Sequence, residues 1–544
     1  MKSIAPRSPI LLPRVAVDVP DGSQPSCASG DQRAILVLTV LGSSIAFMDE
    51  SIVNVALPTL QATFRASSSE ILWVVQSYAL FCAALLLFCG ALGDRFGRKR
   101  TYLAGITIFA VASMGCAAAV TLPQLIVARA VQGVGAALLI PQGLAILSSA
   151  YSEMERPSAI GIWSAWTAVF AAFGPILGGW LIQIANWRAI FLINLPFTVW
   201  IFMLSPKLKE ERADQQRSVS PSLDYLGATL NTFGFGAVVY ALSFVPRLGW
   251  RNPAIVGPFL IGVVLLAAFF WSQKVRSNAL MPLSLFRNPR FAGANLLTFL
   301  SYGSLGAAFY VVPFFLIGVR HFSPSAAGAA FLPIIVLMFA FSGQIGKAAA
   351  KFGELPFMVL GSALAAAGFA LLALLARRNG YLGAFFPGVL TLGAGMTLVV
   401  APLTNSVMSS VAMSKRGIAS AVNNSVSRLA ALLFVSMAAL LLSHIFSAEL
   451  RRELRSSGLP SAVQQQLISQ RSLMLAMPIP EKLGVKQGAR IEEIVQTSFV
   501  AGYRGVMLGC SLCTLLGTLT ILIASGKTSR KEVNLPDEPQ QTAS

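Results

Sequence analysis

Long apolar runs alternate with short polar segments along nearly the whole chain, from about residue 34 to about residue 524. A helix needs about 20 apolar residues to cross a hydrocarbon core about 30 Å thick. The runs reach that length and are too long for the strands of a membrane barrel, so they predict transmembrane helices. We therefore expect an all-α membrane protein with fourteen spans. These are predicted to begin near Ala34, Ile71, Thr101, Leu122, Ala159, Arg188, Tyr225, Ala254, Phe291, Ser325, Pro356, Gly380, Gly417 and Ser498.

The composition supports the same class. Of the 544 residues, 55% are hydrophobic and 12% are charged, whereas soluble domains carry roughly 25% charged residues. The net charge of +19 lies mostly in short loops between apolar runs, which is a membrane-topology pattern and not a nucleic-acid surface. The lipid bilayer is the expected partner, and nucleic acid is not. Cys510 and Cys513 form a C-x-x-C inside an apolar run, which favours helix packing over a redox pair.

The distribution of lysine and arginine predicts the topology. An even number of spans puts both termini on one side of the membrane. The tails and loops on that side hold 24 lysines and arginines, and the short loops on the other side hold seven. Because positive residues are enriched in cytoplasmic loops, both termini are predicted to be cytoplasmic and the protein to lie in the inner (plasma) membrane. Residues 1–33 are expected to form a disordered tail, and residues 525–544 a second tail.

The long polar loop 447–496 is predicted to be periplasmic. Its lysines and arginines are left out of the charge comparison, because long loops cross the membrane regardless of charge. Within it, residues 449–455 and 461–475 are predicted to form short amphipathic helices. We interpret the loop as a solvated lid or spacer. The alternative is a docking surface for a periplasmic adaptor that leads to an outer-membrane channel.

Residues 90–100 read GALGDRFGRKR between the second and third predicted spans. The spaced glycines permit a tight turn and close helix approach, and the aspartate can face an arginine or a helix N-terminus. This string resembles motif A of the major facilitator superfamily, in which an aspartate and an arginine latch two halves of the protein on the cytoplasmic side. The resemblance implies that role for Gly90, Gly93, Asp94, Arg95, Gly97 and Arg98.

Further strings resemble the drug:proton antiporter branch of that superfamily, in the same order along the chain. Residues 49–59, DESIVNVALPT, resemble its span 1 motif, and residues 129–137, RAVQGVGAA, resemble motif B. Residues 174–179, GPILGG, resemble the antiporter motif C. Residues 186–196 and 280–291 are similar to segments of the 14-span EmrB/QacA-like members.

The resemblance implies the major facilitator fold. Six-helix bundles are expected over residues 34–206 and 275–524, with two inserted central helices in the linker 207–274. An internal repeat is expected in that fold, and residues 346–353, GKAAAKFG, align with residues 90–97 as a degenerate second motif A.

Motif C marks exporters in the family and is thought to seal the substrate path. That role falls on Gly174, Pro175, Gly178 and Gly179. The same span carries small residues every three or four positions, which lets another helix approach closely. The members of this stripe are Gly161, Ala165, Ala168, Ala172, Pro175 and Gly179.

Asp49 and Glu50 are the carboxylates that lie well inside a predicted span, and none is seen inside a span of the C-terminal half. An acid within the membrane is a candidate proton carrier. Adjacent helix positions point about 100° apart, so at most one of the two is expected to face a cavity. Asp49 is the predicted carrier, and Glu50 either supplements it or contacts a cationic substrate. The alternative is that both lie near a surface and only form hydrogen bonds.

Arg129 lies within the fourth apolar run. A central arginine costs roughly 2.5–3.5 kcal/mol even on the lenient insertion scale, so it is expected to face a wet cavity or a partner. In the family this arginine is proposed to influence proton transfer, and the alternative is a hydrogen-bonding strut. Other side chains are expected either to make the cavity polar or to satisfy neighbouring backbone. These are Asn54, Gln132, Asn423, Asn424 and Arg428.

These patterns predict a proton-coupled antiporter that exports small, amphipathic or drug-like molecules by alternating access. The alternative is a dedicated exporter of one endogenous metabolite. No nucleotide-binding loop is recognised, since Ile521 stands where the first glycine before Gly526 belongs. With two histidines in the chain, no metal or catalytic residues are assigned. We expect no enzyme activity and no cofactor, with the proton gradient as the energy source.

Overall fold

The computed structural model describes residues 29–152, 155–208, 223–276, 279–412, 416–478 and 485–532. Within these ranges, fourteen helical segments are long and apolar enough to cross a membrane. The predicted number of spans and the all-α membrane class are therefore confirmed. Because the number is even, the described chain begins and ends on one side of the membrane, here named the terminal side. The opposite side is named the distal side.

The first six spans pack against one another. Their helices are α1 Ser29–Phe64, α2 Ser68–Phe96, α3 Arg98–Ala118, α4 Leu122–Ala150, α5 Arg156–Ile184, α6 Ala189–Leu192 and α7 Asn194–Leu204. The last two form one span that is interrupted at Ile193. Helix starts have local causes, since Ser67 and Glu70 form a capping box before α2, and Thr121 with Gln124 does the same before α4.

Two inserted helices follow, α8 Tyr225–Leu248 and α9 Pro253–Val275. They pack on each other, and α8 also contacts α2 and a helix of the last six spans. Asp224 caps α8 and accepts a hydrogen bond of 2.8 Å from Gln273 of α9. This buried contact fixes the inserted pair as a unit at its terminal-side end.

The last six spans form the second bundle. Its helices are α10 Pro289–Gly318, α11 Pro324–Ala329, α12 Leu332–Phe352, α13 Glu354–Leu374, α14 Tyr381–Ala384, α15 Phe386–Ser409, α16 Arg416–Ser456, α17 Ser461–Ser469 and α18 Val485–Glu532. The helix that contacts α8 is α16. Gly97 and Gly353 occupy corresponding turns, with φ of 99° and 88°, so the expected internal repeat is visible in the backbone.

The helices beside the long loop differ from the prediction. The segment 449–455 is the end of α16 and not a separate helix, and α18 begins at Val485, well before the predicted start at Ser498. Both extensions keep one apolar face on the bundle, where Leu454 and Ile494 are buried. A hydropathy window misses such segments because their other face is polar.

The rest of the loop partly matches expectation. A helix was predicted over residues 461–475, and α17 is followed there by a 3-10 turn, Arg471–Ala476. The predicted tails, residues 1–33 and 525–544, lie mostly outside the described residues. Where they are described they are helical, because α1 begins at Ser29 and α18 reaches Glu532.

Candidate functional site

A buried ion pair lies at the centre of the first bundle. Asp49 of α1 and Arg129 of α4 are in contact, and both side chains are 0% exposed. The Arg129 guanidinium also donates to the backbone oxygen of Val74 in α2 at 3.1 Å. It lies 4.3 Å from the centre of the Tyr78 ring, a cation–π distance.

Amide side chains add hydrogen bonds to this ion pair. Gln132 Nε2 and Asn194 Nδ2 donate to Asp49 Oδ1 at 2.9 and 2.8 Å. Gln132 Oε1 in turn accepts a bond of 2.8 Å from Arg129. Ser113 Oγ accepts from Asn194 at 3.0 Å and donates to the backbone of α6. We name Asp49, Arg129, Gln132, Asn194 and Ser113 the buried hub.

The buried hub connects helices α1, α3, α4 and α7 of the first bundle. A buried charge is expensive unless it is paired and its remaining lone pairs and protons are bonded. The Asp49 carboxylate accepts bonds from three side chains, and none of its surface reaches solvent. The expectation that Arg129 faces a partner is confirmed, and its role in transport stays a prediction.

A second carboxylate lies beside the first but faces elsewhere. Glu50 Oε2 accepts a hydrogen bond of 2.8 Å from Arg428 Nη1 of α16. The Glu50 side chain is 30% exposed and that of Arg428 is 11% exposed. Arg428 also approaches Cys82 Sγ at 3.5 Å and lies 4.9 Å from the Phe47 ring centre. This ion pair joins the two bundles, and its Glu50 side chain stays partly exposed.

The other polar candidates do not join the hub, apart from Gln132. Asn54 donates to the backbone oxygen of Glu50, one turn earlier in α1. Asn423 donates to Asn295 and Thr298 of α10, at 3.1 and 2.8 Å, within its own bundle. Asn424 is exposed. Two of these amides thus satisfy neighbours in their own bundle.

Asn194 and Ser113 of the hub, and the neighbouring Tyr78, were not singled out from the sequence. Asn194 lies in the quoted string 186–196, NWRAIFLINLP, but only as part of a resemblance. Its polar amide inside an apolar run was the available signal. Tyr78 gave no such signal, because an aromatic residue in a span is ordinary. Its hydroxyl donates to the backbone of Ala46 at 2.9 Å, which holds the ring beneath Arg129.

The motif A residues lie at the terminal-side ends of α2 and α3. Asp94 pairs with Arg98 of the same turn at 3.1 Å, and their side chains are 49% and 32% exposed. Gly93 leaves no room for a Cβ, which would lie 2.0 Å from Gln142 Oε1 of α4. Gly90 faces Pro141 of the same helix.

The remaining motif A side chains stay near the same turn. The Arg95 guanidinium lies over the ring of Phe96, and Gly97 has the positive φ that the turn requires. Asp94 accepts its hydrogen bonds from Arg98 of the first bundle, so the latch between halves stays a prediction.

Motif C lies where α5 passes between α1 and α11. A Cβ on Gly174 would lie 2.1 Å from Ser51 Oγ, and one on Gly178 would lie 2.5 Å from Ile52. A Cβ on Gly179 would lie 2.2 Å from the backbone oxygen of Pro324. These approaches confirm that small residues here let two helices come close.

The second bundle meets motif C with a glycine of its own. A Cβ on Gly328 of α11 would lie 2.1 Å from the backbone oxygen of Pro175. The expected stripe does not bring helices close along its whole length, because no described residue lies within 4 Å of the Cβ position at Gly161. The tight contact between bundles is therefore at the distal end of α5.

Comparisons with known proteins agree with this geometry. Residues 39–435 match the model of the Major Facilitator Superfamily. The chain is 29% identical over 501 residues to Multidrug resistance protein Stp of Mycobacterium tuberculosis, covering 91% of each chain. It is 27% identical over 492 residues to the Tetracenomycin C resistance and export protein of Streptomyces glaucescens, covering 89% of this chain and 90% of that protein. It is 32% identical over 413 residues to Multidrug efflux pump LfrA of Mycolicibacterium smegmatis, covering 75% and 80%.

Solved structures share the fold. A bacterial homologue of the human lysosomal transporter Spinster superposes with a TM-score of 0.64 at 17% identity, covering 92% of this chain and 99% of that one. The xylose transporter XylE from E. coli gives a TM-score of 0.54 at 13% identity, covering 90% and 96%. At these identities the likeness concerns the fold alone.

Proposed function

The chain belongs to the Major Facilitator Superfamily, and we propose that it is a proton-coupled antiporter that exports small, amphipathic or drug-like molecules by alternating access. Relatives that span most of the chain bear the names of resistance, export and efflux proteins. We propose a carrier without enzyme activity or cofactor, driven by the proton gradient. The excess of 24 over seven lysines and arginines supports a cytoplasmic terminal side and an inner-membrane location.

The ion pair between Glu50 and Arg428 carries the proposal. A proton carrier in an antiporter must exchange with water and must sense whether the bundles are together or apart. Glu50 meets both conditions, since it is partly exposed and its cation belongs to the other bundle. Asp49 is sealed within one bundle. Of the two acids predicted from the sequence, we therefore favour Glu50 as the carrier, with Asp49 and Arg129 holding the surrounding helices.

In the proposed coupling step, a proton and Arg428 compete for the Glu50 carboxylate. When Glu50 is ionised, Arg428 binds it and the bundles are held together at the middle of the membrane. A proton on Glu50 removes the charge that Arg428 binds, so the pair separates easily. A proton taken up from the periplasm is thus displaced by Arg428 once the distal side has closed, and it leaves into the cytoplasm. Export of one substrate is linked in this way to the entry of a proton.

Contacts on the distal side support an arrangement that is closed there. Ser325 of α11 donates to Gln183 of α5 at 2.7 Å. Gln61 of α1 donates to the backbone oxygen of Leu473 in the loop after α17 at 3.2 Å. These bonds cross between the bundles. We propose that motif C and this loop seal the periplasmic side, and that Asp94 and Arg98 form the cytoplasmic latch in the opposite state.

The loop contacts favour one of the two interpretations made from the sequence. Leu467 and Met474 are buried, so the segment packs as a lid on the bundles. A periplasmic adaptor and an outer-membrane channel stay a secondary proposal. We also retain the division into bundles 34–206 and 275–524 with the linker 207–274 as a proposal.

The function is tested in two steps. First, a drug-susceptibility panel in a pump-deficient host, with and without a protonophore, identifies exported compounds. Second, the purified full chain is placed in proteoliposomes with an imposed pH gradient, and movement of an identified compound is followed together with internal pH. We expect compound and protons to move in opposite directions. Export that continues undiminished when the pH gradient and membrane potential are collapsed contradicts the proposal.

A further inference from the structure

A groove of about 760 Å³ lies between the inserted helix α8 and the helices α16 and α18 of the second bundle. None of the buried hub, the Glu50–Arg428 pair or the family motifs lines it. The volume is within the roughly 300–1,000 Å³ of small-molecule sites. The groove is therefore large enough to hold a ligand that differs from the transported substrate.

The face that α16 presents to the groove changes character along its length. Phe434, Met437 and Leu441 line the deep part, followed by His444 and then Arg451 at the outer end. These positions recur at intervals of three or four or their sums, so they lie on one helix face. Apolar residues thus line the deep part of the groove and polar residues its distal end.

The dimensions fit one leaflet. From Phe434 to His444 the helix rises about 15 Å, which is half of a hydrocarbon core about 30 Å thick. Arg451 lies about 10 Å further along the helix, and its guanidinium points back to Ser447, toward the headgroup layer. Trp250 lies at the same outer end, a residue type that favours the membrane interface. Met437 is 52% exposed, so the groove is open along its edge.

The outer end is positively charged. Arg451 and Arg471 both line the groove, and no acidic side chain does so within the part of the chain that the structure describes. Each arginine donates to a backbone oxygen, of Ser447 at 3.0 Å and of Ile468 at 3.1 Å. Neither forms an ion pair with a carboxylate of the described residues. Two guanidinium groups beside an apolar channel match an anionic headgroup with an attached chain.

We propose that this groove binds an anionic phospholipid of the distal leaflet. An acyl chain lies along Phe434, Met437 and Leu441, and the phosphate is bound by Arg451 and Arg471. Val245 of the inserted helix α8 and Trp250 of the loop after it form the opposite wall. The lipid therefore fills the gap between the inserted helix α8 and the second bundle. The site depends on the membrane location and not on proton coupling.

The test measures lipid binding to the purified full chain by native mass spectrometry. Phosphatidylglycerol and phosphatidylcholine with identical acyl chains are titrated separately. We expect phosphatidylglycerol to bind more tightly, and the double variant Arg451→Gln/Arg471→Gln to weaken it about thirtyfold. Phosphatidylcholine binding is expected to weaken less, because its choline cation offsets the charge of its phosphate. The matched control is Arg452→Gln/Arg455→Gln, which removes the same charge from exposed positions of the same segment.

A third variant tests the apolar channel separately from the charge. A Cβ on Gly509 meets Leu441 at an ordinary 3.7 Å, so Gly509→Leu is expected to fold and to fill the groove. It is expected to lower the binding of phosphatidylglycerol with every arginine present. Equal affinity for the two lipids, or an equal loss in the control variant, overturns the proposal. Unchanged lipid binding in Gly509→Leu overturns the assignment to this groove.

Discussion

Asp49 and Glu50 are neighbours in α1, yet their carboxylates bind arginines of different bundles. Asp49 contacts Arg129 within the first bundle, and Glu50 contacts Arg428 of the second at 2.8 Å. One turn of helix thus carries a charge pair within one bundle and a pair that spans the boundary between the two bundles. If the bundles rock about this boundary, only the second pair changes its surroundings.

Glu50→Gln is expected to uncouple transport from protons. Glutamine keeps the shape of the side chain and an acceptor for Arg428, so the protein should fold, but it takes up no proton. Accumulation driven by a pH gradient in proteoliposomes should fall to background, while exchange of substrate across the membrane continues. Glu493→Gln, in an exposed pair with Arg490, is the control. If Glu50→Gln still shows normal gradient-driven transport, another group carries the proton and the assignment to Glu50 is wrong.

The buried hub is expected to act on stability. Arg129→Met leaves the Asp49 carboxylate buried without its cation, and breaking a buried pair in this way destabilises a protein by about 3–5 kcal/mol. The thermal midpoint of the detergent-solubilised protein should fall clearly. The double variant Asp49→Leu/Arg129→Met should recover part of the loss, because no unpaired charge remains. A double variant less stable than Arg129→Met argues against this account.

Motif C is expected to control closure of the distal side. Gly179→Ala places a Cβ 2.2 Å from the backbone oxygen of Pro324, so α5 and α11 must separate. A cysteine introduced at Ser325 should then react faster with a membrane-impermeant maleimide, and export should slow. Gly161→Ala is the matched control in the same helix, because nothing lies within 4 Å of its Cβ position. Equal labelling in the two variants would falsify the sealing role.

Asp94→Asn tests whether Asp94 forms only a local ion pair with Arg98 or also a latch between the two bundles. The pair with Arg98 is exposed and lies within one turn, so its loss should change the free energy of unfolding by only about 0.3–0.5 kcal/mol. A latch that forms in another state predicts a large loss of transport rate with an unchanged thermal midpoint. Asp31→Asn, in a surface pair with Lys207 at 3.2 Å, provides a comparison. Wild-type transport by Asp94→Asn contradicts the latch.

Sequence reasoning located the candidate site only in part. It selected Asp49, Glu50, Arg129 and Arg428, because charges within a membrane span are rare and stand out. It favoured Asp49 over Glu50 from the resemblance, without knowing which face of α1 was sealed. Asn194 supplies a hydrogen bond to Asp49 that only packing reveals.

The sequence by itself determined the number of spans, the family and the residue types available for chemistry. Hydropathy is a local property, and a helix in lipid satisfies its own backbone, so span counting needs no knowledge of neighbours. The pairing of each carboxylate and the start of α18 at Val485 were decided by tertiary structure. A 100° rotation between adjacent residues sends Asp49 into its own bundle and Glu50 toward the other, and only the packed helices determine which direction is which.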